Sequence, residues 1–277
     1  MPSNPELKLI HAEILDLLKL FDAFCTANDI RYTLDAGTLL GAVREHGFIP
    51  WDDDADVAMT RAEYEKFRDA ARRGPLPEEV TFSEFSAQHP RVWMRRPGRP
   101  GAWIDLFIYD YITENRALQK LRLLGCAFFL VFTKNKTSLE ISRKNGGHRG
   151  LRARLMTFGY LLGKPFSPRT KARLQNAFAK HALHGRRTLI HRSNDAYSFI
   201  GRILPAGVMS RYERMSFEDV PLMVTSNYHD VLLSTYGADY MTPKRQASHD
   251  NPAHAGFMVA EARVTAAKGS SRGAFAT

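Results

Sequence analysis

Two aspartates separated by one residue are the first candidates for chemistry in this sequence. Asp54 and Asp56 flank Ala55 at the start of an apolar run, residues 57–59. Side chains two apart on a strand face the same way, so the spacing predicts two adjacent carboxylates. Close carboxylates repel each other unless a cation lies between them. Hard divalent cations take oxygen ligands and bring substrate phosphates with them, so we predict a Mg²⁺ or Mn²⁺ site.

A second candidate is the turn at Gly37 and Thr38. It follows a short β-prone run, residues 32–34, and opens a helical turn over residues 39–44. Backbone N–H groups at a helix N-terminus lack intrahelical partners and carry partial positive charge. The sequence therefore predicts a phosphate-binding turn close to the two carboxylates.

Asp105 is the third candidate, because it stands alone in the apolar run AWIDLFIY, residues 102–109. An unpaired buried carboxylate is costly, so Asp105 requires a cation or a partner. A catalytic or metal-binding role and a salt bridge at a strand edge are both open. Asp110 is a weaker candidate and is expected at the end of the strand.

The stretch that carries the first two candidates resembles the LicD/fukutin family, which has the nucleotidyltransferase superfold. The resemblance rests on GTLLGAVR, residues 37–44, and on GFIPWDDDADV, residues 47–57. A further segment, YGADYMTP at residues 236–243, fits a terminal part of the same family. The resemblance is therefore expected to cover about residues 6–250.

The resemblance implies a third carboxylate on a strand in which an aspartate stands between apolar residues, and Asp105 fits that place. We expect Asp54, Asp56 and Asp105 to be metal ligands and catalytic residues. Asp105 would complete a second metal site or accept a proton from the acceptor hydroxyl. The predicted substrate-binding residues are Gly37, Thr38, Arg44, Asp52, Tyr236 and Tyr240.

One of these residues, Arg44, carries open alternatives. Arg44 is expected to neutralise a diphosphate, or equally to pair with Glu45 or with one of the aspartates at 52–54. Asp52 is expected to support the metal ligands. Asp53 alternates with the aspartates on either side and is expected to face away.

The family resemblance implies an activity. A phospho-alcohol of the phosphocholine type would pass from a CDP-activated donor to a hydroxyl of a surface glycan or lipid-linked glycan, with release of CMP. Lipopolysaccharide, teichoic acid and capsule are the glycan classes implied. An alternative is a nucleotidyltransferase that attaches NMP to a sugar or small molecule and releases pyrophosphate. A non-enzymatic membrane- or nucleic-acid-associated protein is a third alternative, which the three retained acids disfavour.

The elements that must hold these residues follow from apolar periodicity and helix signals. Apolar residues at three- and four-residue spacing predict an amphipathic helix over residues 6–28, with His11 on its surface flank. Thr60 and Glu63 predict a capping box before a helix at about 61–72. β-prone runs predict further strands at residues 80–85, 91–94, 102–109, 197–203 and 215–224.

Charge changes abruptly in the middle of the chain. Residues 115–192 hold eighteen lysines and arginines and one acid, Glu140, so their net charge is +17 in a chain of +10. Their apolar runs, 121–132 and 151–166, are shorter than the roughly 20 residues of a spanning helix. An interfacial contact with an anionic membrane and a solvated helical cover for the core remain open. Nucleic-acid binding is disfavoured, because aromatic residues are not interleaved with the basic ones.

The fold class predicted is α+β, a nucleotidyltransferase-like core of mixed sheet flanked by helices with a basic helical insert. The predicted segments are a catalytic core with an N-terminal helix, an insert, the C-terminal part of the same domain and a flexible tail, at 1–114, 115–192, 193–250 and 251–277 respectively. The first residues show no charged and apolar leader, which favours a cytoplasmic location, peripheral at the inner membrane if the insert binds lipid.

Overall fold

A computed structural model shows an α+β protein in which helices flank one mixed sheet. It describes residues 5–74, 76–84, 89–134, 136, 151–183, 185–196 and 199–243. The predicted tail at 251–277 lies outside the described residues.

The elements follow one another in a simple order. The helices are α1 (Pro5–Ala27), α2 (Ala36–Arg44), α3 (Arg61–Arg73), α4 (Arg116–Phe132), α5 (Leu151–Gly163), α6 (Pro168–His181) and α7 (Tyr228–Tyr236). The strands are β1 (Thr33–Leu34), β2 (Ala55–Thr60), β3 (Val80–Ser83), β4 (Arg91–Met94), β5 (Ala102–Ile112), β6 (Leu189–Arg192), β7 (Ile203–Pro205), β8 (Tyr212–Phe217) and β9 (Val220–Thr225).

Strand β5 is the centre of the main sheet, and its two edges are used differently. On one edge it pairs in parallel with β2, which continues to β1. On the other edge β4 pairs with its first half and β6 with its second half, both antiparallel. Strands β3 and β7 extend the sheet beyond β4 and β6, and β8 and β9 form a separate hairpin.

The helices that cover the sheet follow the sequence signals. Helix α1 confirms the predicted amphipathic helix and buries Leu17, Leu18 and Phe21. Helix α3 confirms the predicted N-cap, with Glu63 N donating to Thr60 Oγ1 at 3.4 Å. The Glu63 carboxylate, however, accepts from the backbone N–H of Arg31 at 3.0 Å, so only half of the predicted capping box forms.

The C-terminal strands differ from the prediction. Of the strand predicted at 197–203, residues 197 and 198 lie outside the described residues, and Ile203 is the first residue of β7. The prediction is wrong for residues 199–202, where the backbone N–H groups of Phe199 and Ile200 both donate to Ala196 O. The single strand predicted at 215–224 is the hairpin of β8 and β9, reversed at Glu218, whose φ is 51°. Strand β6 escaped prediction, since it is short and lies at the end of the basic segment.

Helices α4, α5 and α6 form a helical layer beside the sheet. Helix α5 packs closely on α4 at two glycines. A Cβ on Gly159 would meet the Val131 side chain at 2.8 Å, and one on Gly163 would meet Phe132 O. The Phe178 ring of α6 occupies the space beside Gly125 of α4. Within the described residues, none of the helices is both long and apolar enough to cross a bilayer.

Candidate active site

The candidate site begins with a row of three side chains on neighbouring strands. Asp56 is the register partner of Asp105 in the parallel β2–β5 pair. Asp105 is the partner of Arg91 in the antiparallel β4–β5 pair. Register partners on neighbouring strands lie side by side, so the sheet itself brings two carboxylates and a guanidinium together.

Asp54 completes the acidic group. Carboxylate oxygens of Asp54, Asp56 and Asp105 all lie within 4.8 Å of one another. Oxygens of Asp52, Asp53 and Asp54 meet the same limit, so Asp54 belongs to both groups. The prediction that Asp53 faces away is wrong, because residues 52–54 precede β2 and do not alternate as strand residues do.

Asp56 experiences a clear electrostatic penalty in this group. Burial, and then the charges of Asp54 and Asp105, raise the pKa of Asp56 well above its ordinary value. Asp56 is half-buried, and its ionised form is costly because the protein displaces part of its hydration and its neighbours are negative. A divalent cation among the three carboxylates would relieve both penalties, and carboxylate oxygens suit Mg²⁺ or Mn²⁺.

Arg91 is a site residue that sequence reasoning missed. Its Nε donates to Asp105 Oδ1, and its Nη2 donates to Oδ2 at 3.0 Å. The guanidinium also lies 5.4 Å from the ring centroid of Trp93 and 5.3 Å from that of Trp103. Asp105 thus forms the salt bridge that the sequence had left open, and its oxygens also lie near those of Asp54 and Asp56. The catalytic or metal-binding role stays a prediction.

The first turn of α2 is fixed to the acidic strand by hydrogen bonds to the Asp56 backbone. Asp56 N donates to Thr38 Oγ1 at 2.8 Å, and Asp35 N donates to Asp56 O at 3.0 Å. Asp35 also caps the helix, accepting from Ala36 N at 2.9 Å. Ala36 has a φ of 42°, a left-handed conformation that is costly for alanine and is retained here by the surrounding bonds.

Gly37 is in close contact with the acidic loop, residues 52–54. A Cβ at Gly37 would overlap Asp52 Oδ2, so the Asp52 carboxylate packs directly on this glycine. His11 Nε2 donates to Asp52 O at 2.6 Å, and its ring stacks on Phe48 with centroids 4.3 Å apart. His11 was expected at the surface; instead it connects α1 to the acidic loop.

The remaining predicted substrate-binding residues are Arg44, Tyr236 and Tyr240. Arg44 pairs with Glu45 at 2.7 Å, the alternative that the sequence had left open, and donates to Tyr240 O at 3.3 Å. The pKa of Tyr236 is raised by desolvation and then by Asp56, which indicates that the phenol is within electrostatic range of the site. Tyr240 is buried, and its hydroxyl lies 2.9 Å from His229 Nδ1.

A buried ion cluster includes Asp35, the residue that caps α2. Arg192 Nη1 donates to Asp35 Oδ2 at 3.0 Å, and Arg192 Nε lies 2.9 Å from Asp195 Oδ2. All three side chains are at most 6% exposed. The guanidinium lies 5.2 Å from the Phe107 ring centroid. Neither Asp35 nor Arg192 was predicted; Asp35 had a signal, as an aspartate just before a helical turn.

His89 is a buried histidine near Asp105. Its ring lies 4.6 Å from the Phe107 ring, and it is 8% exposed. Burial lowers the pKa of His89 to about 4, although Asp105 acts in the opposite direction. The imidazole is therefore neutral at pH 7.

The types and positions of these residues suit phosphate chemistry. The carboxylates can hold a hard cation, and the first turn of α2 lies next to them. Transfer of a phosphoryl group requires positioning and charge neutralisation more than covalent chemistry by the protein.

Comparisons with known proteins agree with this description. Residues 29–122 match the family model "LicD/FKTN/FKRP, nucleotidyltransferase domain". The lipopolysaccharide cholinephosphotransferase LicD of Haemophilus influenzae is 54% identical over 109 residues, which are 35% of this chain and 41% of that protein.

Two uncharacterized rickettsial proteins match a shorter stretch. RP689 of Rickettsia prowazekii and RT0683 of Rickettsia typhi are each 46% identical over 46 residues, 17% of this chain. Those stretches are 17% and 15% of the respective proteins. The chain therefore spans less than half the length of each of these three relatives.

Proposed function

We propose that the chain is a phosphocholine-type transferase that acts on a lipopolysaccharide or related surface glycan. The premise is that the chain belongs to the LicD/fukutin family through residues 29–122. The observation that carries the proposal is the group of oxygens of Asp54, Asp56 and Asp105 within 4.8 Å. The proposed core is nucleotidyltransferase-like, which agrees with the description of the matching family model.

The three carboxylates are the proposed ligands of Mg²⁺ or Mn²⁺. Their oxygen donors and the raised pKa of Asp56 favour a hard divalent cation. When bound, such a cation neutralises phosphate oxygens and stabilises the charge that develops on them. Arg91 holds Asp105 through both oxygens and so fixes the direction from which that carboxylate faces the substrate.

The proposed donor is CDP-choline or a related CDP-alcohol, and its phosphates would lie against the first turn of α2. Asp105 is the proposed base for the acceptor hydroxyl. The acceptor oxygen forms a bond to the phosphorus that carries the alcohol, the phosphoanhydride bond breaks, and CMP leaves. The glycan proton passes to the carboxylate, so the charges and atoms balance.

A nucleotide-release assay tests this proposal. The purified chain is incubated with Mg²⁺ or Mn²⁺, a bacterial envelope glycan extract, and in turn CDP-choline, CDP-ethanolamine, CDP-ribitol, CDP-glycerol, CTP and ATP. We expect CMP from one CDP-alcohol only when the glycan is present. Asp54→Asn should abolish this release, because it removes one of the three clustered carboxylates.

The matched control is Asp29→Asn, because the Asp29 side chain is fully exposed and its φ of 51° suits asparagine. This variant should release CMP at the rate of the unaltered chain. Pyrophosphate from CTP or ATP would instead favour a nucleotidyltransferase. CMP release that Asp54→Asn leaves unchanged would show that the acidic group is not the active site.

A further inference from the structure

The helical layer carries two apolar rows that its own packing leaves outside. On α4, Leu121, Leu124 and Phe128 are 58%, 64% and 43% exposed. On α5, Leu155 and Phe158 are 59% and 60% exposed, and Leu162 follows at 42%. Both rows have the spacing i, i+3, i+7, which puts their members on one face of each helix.

These rows are not needed to hold the helices together. The inner face of α4 buries Cys126 and Phe132, and Phe129 contacts Phe178 of α6 with ring centroids 5.3 Å apart. Helix α5 buries Met156 and approaches α4 at its glycines. The outer leucines and phenylalanines are therefore surplus to the fold, and exposed apolar faces of this kind mark interaction surfaces.

Charge selects the kind of partner. Helices α4, α5 and α6 contain no aspartate or glutamate. Their exposed charges are positive, as are those just after them; exposed basic residues include Arg116, Lys120, Arg154, Lys164 and Arg173. Apolar rows flanked by cations complement a surface with an apolar interior and anionic head groups.

We propose that the outer rows of α4 and α5 form a membrane-docking surface for anionic phospholipid bilayers. The protein would lie on the bilayer with Leu121, Leu124 and Phe158 inserted at the interface. This inference is independent of the proposed transferase activity, because none of its residues belongs to the acidic site.

Vesicle flotation tests the docking surface with the full chain. We expect the protein to float with phosphatidylcholine vesicles that contain phosphatidylglycerol and not with phosphatidylcholine alone. Binding should fall when salt rises from about 0.1 M to about 1 M, because screening shortens the reach of the basic residues. The variant Leu124→Gln/Phe158→Gln should bind anionic vesicles about a hundredfold more weakly, about tenfold for each side chain.

The matched control is Leu9→Gln/Leu233→Gln, which replaces leucines that are 50% and 41% exposed on α1 and α7. It should float as the unaltered chain does. Arg116→Gln/Lys120→Gln should also weaken binding while leaving the apolar rows intact, which covers the case in which the first variant fails to fold.

Three results would overturn the proposal. The first is an unaltered chain that does not float with anionic vesicles. The second is a folded Leu124→Gln/Phe158→Gln variant that floats as well as the unaltered chain. The third is that the unaltered chain is a dimer, whereas the folded variant is a monomer that floats as well as the unaltered chain. This result would show that a second copy covers the rows.

Discussion

Two regions beside strand β5 bear opposite charges, and the comparison shows how charge is used in this molecule. Around Asp105, which is buried and pairs with Arg91, the half-buried Asp54 and Asp56 bring further negative charge. Beyond the end of the strand, α4 begins a layer whose exposed charges are positive. Buried charges are tuned by close partners, whereas exposed charges act through the field that they sum to.

The largest expected effect concerns Asp56, whose replacement should lower activity but raise stability. Asp56→Asn should lower transferase activity about a thousandfold or more, because a ligand of the proposed cation is lost. The same change should raise the melting temperature in the absence of divalent cations, since it removes a half-buried carboxylate that its negative neighbours repel. Melting curves with and without Mn²⁺ measure this, and the variant should also lose Mn²⁺-dependent stabilisation. A strong fall in melting temperature would contradict the electrostatic argument.

Removal of a compensating cation should have the opposite effect on stability. Arg192→Met leaves Asp35 and Asp195 buried without their partner and should lower the free energy of unfolding by about 3–5 kcal/mol. The control Arg214→Met removes a more exposed pair with Asp22 and should cost below about 1 kcal/mol. Urea denaturation measures both. Equal losses would show that burial does not distinguish the two ion pairs.

Acid should destabilise the fold through a buried histidine that links β6 to the helical layer. His191 Nε2 accepts from Arg122 Nε at 2.9 Å, and its Nδ1 donates to Ile200 O at 3.0 Å, so the ring is neutral. Burial lowers the pKa of His191 to about 4. The unfolded chain binds the proton more readily, so stability is complete above about pH 6.5 and falls as the pH drops toward about 4.

Between about pH 6.5 and 5 this loss should be about 2 kcal/mol. Denaturation at several pH values measures the slope. His191→Gln should make it shallower, with His89 still contributing in the same direction. The exposed control His181→Gln should leave the slope unchanged. A steeper slope in His191→Gln would contradict the assignment.

The smallest effect concerns the position of the acidic loop. Gly37→Ala should displace the Asp52 carboxylate and lower activity about tenfold, with little change in melting temperature. The control Gly207→Ala has open space around its new methyl group. Steady-state rates of the two variants decide the matter. Equal rates would show that the contact between Gly37 and Asp52 does not position the site.

Local patterns predicted much of this structure. Apolar periodicity predicted α1, and strand propensity predicted β3, β4 and the apolar part of β5, because neighbours in sequence determine these elements. The spacing of Asp54 and Asp56 likewise predicted adjacent carboxylates, and the structure places their oxygens close together. The roles assigned to these residues stay predictions.

Pairings between segments that are distant along the chain could not be predicted from the sequence. The contact of Arg91 with Asp105 depends on the register of β4 against β5, and that of Arg192 with Asp35 depends on a strand that lies far along the chain. No local pattern encodes either register. Asp53 was misplaced for a related reason, since strand alternation was extended into a loop.

The register of β2 against β5 has a consequence for how the molecule matures. Asp56 and Asp105 lie together only when these parallel strands pair in the observed register, and a slip of one residue would send one of the two side chains to the opposite face. Parallel pairing of separated segments forms late and slowly during folding. The acidic group is thus assembled by the same event that completes the sheet, and a newly made chain would acquire the proposed cation site only as it becomes native.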